Sequence, residues 1–268
     1  MPELPEVRTV ASVLKKNLLN KKITNIEIIY PKIIEPKSLD FKNLIGKKLT
    51  DVNTLGKFLI FTFEDLYLVS HLRMEGKYYI KSLNEKIEKH EHIIFDFGAL
   101  SVRYHDTRKF GRMFLCNDLK DYPSLNKVGL EPFDKKMTKE LLKEKLNSKL
   151  PIKELLLDQS IMAGLGNIYV NEVLFASFIN PLRKGFDITL DECQRIIDNS
   201  VLILNKAIKY GGTTIKSYTS SLGVTGHFQD FLMVHKREGE PCKVCMTPIV
   251  NIKVGGRSTY YCPNCQKY

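Results

Sequence analysis

Apolar residues at positions 7, 10, 11, 14 and 18 open the chain with a helical period: Val7, Val10, Ala11, Leu14 and Leu18 share one face, while Arg8, Lys15 and Lys16 fall on others. From Lys22 to about Phe114 the pattern changes to short β-rich runs at 23–30, 58–63, 67–71, 92–97 and 100–104, separated by Gly, Asn and Asp breaks. Such runs predict a β-sandwich packed against the first helix. After Pro123 and Pro132 the spacing turns helical at 138–146, 152–158, 168–178 and 190–209, the last closed by Gly211-Gly212. Two final runs, 249–254 and 258–261, flank Gly255-Gly256, a hairpin signal that puts Arg257 at an exposed tip. The chain therefore reads as α+β, with a β-sandwich module at 1–130, a helical module at 131–228 and a small ribbon at 229–268. It has no internal repeat and no low-complexity tail.

Composition narrows the class. A chain of 268 residues with 43% hydrophobic content can bury one or two cores plus a small module, and no run of about 18 apolar residues is present to span a bilayer. The acidic, proline-containing start lacks the basic and apolar regions of a signal peptide, so the expectation is a soluble, cytoplasmic protein. The net charge of +11 favours an anionic partner, and the excess is uneven: residues 205–268 carry nine Lys/Arg against three Asp/Glu.

The first residues, Met1-Pro2-Glu3-Leu4-Pro5-Glu6, offer a nucleophile. Removal of Met1 would leave the secondary amine of Pro2 as the chain terminus, with a reference pKa of roughly 7.7–8.0, so that a useful fraction is neutral at physiological pH. Attack of that amine on a sugar carbon gives an iminium with no N–H to lose, which keeps its positive charge and serves as an electron sink. Glu3 and Glu6 supply adjacent carboxylates, one for proton transfer and one for orientation or charge compensation. Helix-start N–H groups favour the neutral amine and the carboxylates favour the protonated one, two opposed effects.

Cysteines supply a second signal. Cys242-x2-Cys245 and Cys262-x2-Cys265, 16 residues apart, have the spacing of a four-thiolate zinc ribbon, with one structural Zn2+ and no coordination position left for water. Cys116 and Cys193 lie among apolar neighbours and read as core residues. In the helical half, Gly164-Leu165-Gly166-Asn167 precedes a helix, where glycines let a phosphate approach backbone N–H groups. Met74 and Phe110, side chains of a type usually buried, sit instead in turn-like contexts next to Gly76 and Gly111.

These features together resemble the formamidopyrimidine-DNA glycosylase family nearly end to end. The resemblance is carried by Pro2-Glu3-Leu4-Pro5-Glu6, His71-Leu72-Arg73-Met74-Glu75-Gly76, Asp106-Thr107-Arg108-Lys109-Phe110-Gly111, Gly164-Leu165-Gly166-Asn167-Ile168-Tyr169 and the cysteine cluster. It implies a monomeric bifunctional base-excision enzyme acting on double-stranded DNA that contains oxidised bases or abasic sites. It also implies roles: Pro2 as nucleophile, Glu3 and Glu6 as its carboxylates, Lys57 for β-elimination and Arg257 for the final elimination. Met74, Arg108 and Phe110 would fill the space left by a flipped base. His71, His90, Lys149 and Asn167 would contact DNA, and the segment 216–228 would close over the lesion.

Four positions depart from the family pattern. Met246 stands where a glycine is usual, His235-Lys236 where Tyr-Gly is common, and Arg8 where a glutamate is common. Two other readings use the same residues: an endonuclease VIII-like relative that prefers oxidised pyrimidines, and a non-enzymatic zinc-ribbon protein that binds nucleic acid without cutting it. Leu4, the Arg108-Lys109-Phe110 turn and the 216–228 segment favour the purine enzyme over the first. The pairing of Pro2 with Glu3, which a mere binder has no reason to keep, favours an enzyme over the second.

Overall fold

The structure, a computed structural model, describes residues 1–213 and 226–268. The segment 216–228 therefore lies for the most part outside the described residues. The chain forms two compact units, one of residues 1–126 with 211–227 and the other of 127–210 with 228–268. Among the described residues no helix is long and apolar enough to cross a membrane.

In the first unit, α1 (Leu4–Leu18) begins with Pro5 in its first turn, where a missing N–H costs nothing, and carries Lys15 and Lys16 in its last. Its apolar face is fully anchored, since Leu4, Val7, Leu14 and Leu18 have 0% exposure. Eight strands follow: β1 (Asn25–Ile28), β2 (Leu49–Leu55), β3 (Phe58–Phe63), β4 (Leu66–His71), β5 (Lys77–Ser82), β6 (Glu91–Phe97), β7 (Leu100–His105) and β8 (Arg112–Cys116). They pair antiparallel into two four-stranded sheets, ordered β1-β6-β7-β5 and β2-β3-β4-β8, and the short α2 (Pro123–Asn126) closes the run. Phe61, Tyr78, Phe95, Val102 and Tyr104 meet α1 residues in one continuous core. The sandwich inferred from sequence is thus present. Three strands that the sequence pattern did not single out, β2, β5 and β8, are all at sheet edges. An edge strand shows one side to water and carries polar residues that blur the alternation.

The interior of this unit also holds charge. Arg103 on β7, 2% exposed, donates to the backbone carbonyls of Glu85 (2.6 Å) and Lys86 (2.8 Å) and to the Glu91 carboxylate (3.0 Å), and so ties the β5–β6 loop to the sheet. Burial pushes the Glu91 carboxyl up, but the Lys81 ammonium at 2.8 Å, the Glu88 N–H and Arg103 outweigh it and hold the group below its usual value. Removing one member of a buried pair strands the other without solvent. Arg103→Leu should therefore lower the stability of this unit by about 3–5 kcal/mol, read from the urea midpoint of the wild-type and variant proteins.

The second unit is helical, with α3 (Lys139–Lys145), α4 (Ile152–Leu157), α5 (Asn167–Ala176) and α6 (Leu190–Lys209). A Thr189–Glu192 capping box starts α6. The hairpin of β9 (Val250–Val254) and β10 (Arg257–Tyr261) pairs Arg257 with Val254 across the Gly255-Gly256 turn. Helix boundaries match the predicted spans to within one or two residues. The predicted terminal strand begins one residue late because Arg257, a tip residue by sequence, already pairs.

Candidate active site

At the head of α1 the two carboxylates are reciprocal caps: Glu3 accepts from the Glu6 N–H, and the Glu3 N–H donates to Glu6 Oε2 at 2.9 Å. Both side chains are 3% exposed. With Met1 in place, Pro2 is buried and the terminal amine belongs to Met1. Burial lowers the pKa of that amine, Glu3 and Glu6 raise it, Lys57 lowers it and Glu75 raises it; burial prevails, and the amine lies below its ordinary 8.0. For this Met1 amine the deciding influence is burial, which is neither of the two opposed influences read from sequence for Pro2. Lys57, at the start of the strand β3 hairpin, is itself buried at 5% exposure.

Glu75 was not singled out in the sequence. It belongs to the turn between β4 and β5, half-buried beside Met74, and accepts a short hydrogen bond from the Thr107 hydroxyl. That bond joins the 72–76 turn to the 106–111 turn. Tyr104, fully buried, stands between the two, and a Cβ at either Gly76 or Gly111 would collide with its hydroxyl. Asp106 then shapes the second turn. Its Oδ1 accepts from the Arg108 N–H (2.9 Å) and its Oδ2 from the Gly111 N–H (2.8 Å), an arrangement that leaves the side chains between them outside. Phe110 is 48% exposed, and the Arg108 guanidinium lies over its ring at 4.6 Å. The structure so brings Met74, Glu75, Arg108 and Phe110 onto two linked turns.

The histidines divide. His71 Nδ1 accepts from the Arg73 N–H at 3.0 Å, which puts the hydrogen of the neutral ring on Nε2, and burial, then Arg73 and Lys57, push its pKa down to about 3. His90, half-buried with φ of 74°, ends the β5–β6 loop with its ring against His92 and His105.

In the second unit Asn167 starts α5 and donates from Nδ2 to the Ser258 carbonyl at 3.0 Å, directly beside Arg257. The same carbonyl receives Lys153 Nζ at 2.9 Å, and that ammonium also donates to Asn171 Oδ1 (2.8 Å) and Thr259 Oγ1 (2.8 Å). Lys153 is 0% exposed and was missed by sequence reading, since a lysine four residues past Lys149 carries no local sign of burial. Asn167 and Arg257 are brought together by this network. Lys149, exposed in the loop ahead of α4, takes no part in it.

Glu172 on α5 accepts the backbone N–H groups of Met233 (2.8 Å), Val234 (3.1 Å) and His235 (2.8 Å), and so seats the segment that leads into the cysteine module. There the Sγ atoms of Cys242, Cys245, Cys262 and Cys265 lie within 4.8 Å of one another, with Cys242–Cys265 at 3.9 Å and Cys245–Cys262 at 3.4 Å. Those spacings bracket the roughly 3.8 Å expected between sulfurs on a tetrahedral zinc at about 2.3 Å. The knuckle N–H groups of Val244 and Cys265 point at Cys242 and Cys262 Sγ, each at 3.5 Å. Residues and donor chemistry fit one closed, structural Zn2+. Met246 occupies the first knuckle at φ of 64°, a left-handed conformation that the usual glycine would adopt without strain.

His235 lies where a phosphate-binding tyrosine is common in the family, but its ring is enclosed. Nδ1 bonds Asn171 Nδ2 at 2.8 Å, the ring stands edge-on to Tyr260, and burial pushes its pKa down to about 4. The unfolded histidine takes up a proton near pH 6.5 and the folded one only near 4, so stability falls as pH drops through that window. The loss should be about 1.4 kcal/mol per pH unit, and His235→Asn should remove it, as measured by urea unfolding between pH 7 and pH 4.

Fold and site are those of a DNA glycosylase with a zinc finger. Residues 1–113 match the formamidopyrimidine-DNA glycosylase N-terminal domain, 128–219 the H2TH domain of the same enzymes, and 239–267 the zinc finger found in FPG and IleRS. The chain is 44% identical to the formamidopyrimidine-DNA glycosylase of Ligilactobacillus salivarius over 99% of both chains, and 43% identical to that of an Exiguobacterium species over 100% of both. A Lactococcus lactis FPG mutant in complex with Fapy-dG containing DNA superposes with a TM-score of 0.93 at 40% identity, covering 100% of each chain. The Lactococcus lactis Fpg in complex with abasic-site DNA gives 0.91 at 40% identity, covering 99% of this chain and 100% of that one. The protein belongs to the formamidopyrimidine-DNA glycosylase family.

Proposed function

We propose that this protein excises oxidised purines, 8-oxoguanine and formamidopyrimidines, from double-stranded DNA and cuts the strand at the abasic site it has made. The observation that carries the reading is the head of the fully anchored first helix, where Pro2, Glu3, Glu6 and Lys57 are all buried and the Met1 amine is desolvated within electrostatic reach of Glu3, Glu6, Lys57 and Glu75. The family membership and the solved relatives holding Fapy-dG and abasic-site DNA support the substrate class.

With Met1 removed, the Pro2 nitrogen attacks C1′ of the damaged nucleotide. The bond from C1′ to the base breaks and the base leaves with a proton, while Glu3 serves proton transfer at the sugar so that the ring opens to a Pro2–C1′ iminium. Loss of a C2′ proton into that electron sink expels the 3′ phosphate, and a second elimination expels the 5′ phosphate. Lys57 assists the first elimination and Arg257 the second. Glu6, whose two oxygens accept backbone and hydroxyl hydrogens, orients and compensates charge. Met74, Arg108 and Phe110 fill the vacated stack, and His71, His90, Lys149 and Asn167 hold the duplex. The modules 1–130, 131–228 and 229–268 divide these tasks as catalysis, DNA grip and zinc-supported hairpin. The enzyme acts as a monomer on nucleoid DNA in the bacterial cytoplasm.

Pro2→Gly should lose excision of 8-oxoguanine yet still bind duplex DNA, because the substitution alters the nucleophile and not the fold. Glu3→Gln should fail at base release but retain nicking of a preformed abasic site, which has already lost its base. Equal losses on both substrates would contradict the role given to Glu3, and excision by Pro2→Gly at the wild-type rate would remove Pro2 as the nucleophile.

A further inference from the structure

The Gly211-Gly212-Thr213 turn reads by sequence as nothing more than the end of the last long helix. In the first unit it does something else. The Thr213 backbone N–H donates to Glu6 Oε1 at 2.8 Å and its hydroxyl to the same oxygen at 3.1 Å, while Glu6 Oε2 takes the Glu3 N–H. All three residues are buried, at 3%, 3% and 5% exposure for Glu3, Glu6 and Thr213. Gly212, at φ of 79°, lies so close that a Cβ there would stand 2.6 Å from Glu6 Oε1 and 2.9 Å from its Cγ. The turn is moulded on the carboxylate.

Donors on both oxygens fix the direction of a buried carboxylate. That direction matters because the Glu6 charge acts on the terminal amine, alongside Glu3, Lys57 and Glu75. The iminium that follows attack is a cation at the same place. We infer that Thr213 is a positioning residue for the reaction: through its hydroxyl it aims the Glu6 carboxylate, so that the amine and the iminium formed from it retain their counter-charge in place. The inference rests on the amine chemistry proposed above and adds to it a residue that acts through Glu6.

Thr213→Val keeps the backbone donor and the side-chain shape and removes only the hydroxyl; Thr213→Ser keeps the hydroxyl. The test is borohydride trapping on a duplex with a preformed abasic site, run across a pH series, with binding of the same duplex measured in parallel. Thr213→Val should trap about tenfold more slowly, the effect of one hydrogen bond to a charged group. Its trapping profile should also rise at lower pH than the wild type, because a carboxylate no longer aimed at the amine raises the amine pKa less. Binding should stay within about twofold of the wild type, a change too small to reflect loss of a charged contact, and Thr213→Ser should restore both rate and profile. A wild-type rate and profile for Thr213→Val would overturn the inference. So would a loss of binding that tracks the loss of trapping, or a failure of Thr213→Ser to rescue. Absence of any adduct with the wild-type enzyme would remove the amine reading itself, and this inference with it.

Discussion

Leu4, Val7, Leu14 and Leu18 on the first helix have no exposed surface, and that anchorage is the constraint on which the rest of the first unit depends. A chain end is ordinarily frayed. Here the apolar face of α1 is set into the sandwich core, the helix start is closed by the Glu3–Glu6 capping box, Pro2 is buried just before it, and the Met1 amine is held where burial outweighs carboxylate charge. Packing therefore sets the reactivity. An amine on a mobile tail would stay solvated and mostly protonated, with no fixed carboxylate beside it.

A comparable economy governs the second unit. Lys153 is buried, and Asn171 Oδ1, the Ser258 carbonyl and Thr259 Oγ1 are among its acceptors. Because two of those oxygens belong to Ser258 and Thr259, the same bonds that satisfy the lysine fix the hairpin that carries Arg257 beside Asn167. The four cysteines close the same module, so that a bound zinc would support the placement of that hairpin and leave no open position for chemistry of its own.

Legibility in the sequence followed the range of the interactions. The α1 stripe, the full span of β3, the long α6 and the cysteine quartet depend on spacing within a few residues, and each was readable. Edge strands β2, β5 and β8 were not, since they carry Asp51, Lys77 and Arg112, half-buried polar residues that break the alternation. The same holds in the sites. Pro2, Glu3 and the Arg108-Lys109-Phe110 turn announce themselves by local motif. Glu75 meaningful through Thr107, Glu91 through Arg103, and Glu172 through the 233–235 backbone are set by partners 12 to 63 residues away, which no local pattern reports. Asp106 is the intermediate case: its Asx-type bonding two residues on was there to be read in Asp-x-Arg.

The central claim is that a packed helix delivers the N-terminal proline amine to the sugar as the nucleophile. Mass spectrometry of the borohydride-reduced adduct with abasic-site DNA tests it most directly, after proteolysis to locate the residue that carries the sugar remnant. The account predicts the remnant on the nitrogen of Pro2, in a peptide that lacks Met1. A remnant on Lys57, on another lysine, or on a retained Met1 amine would contradict it.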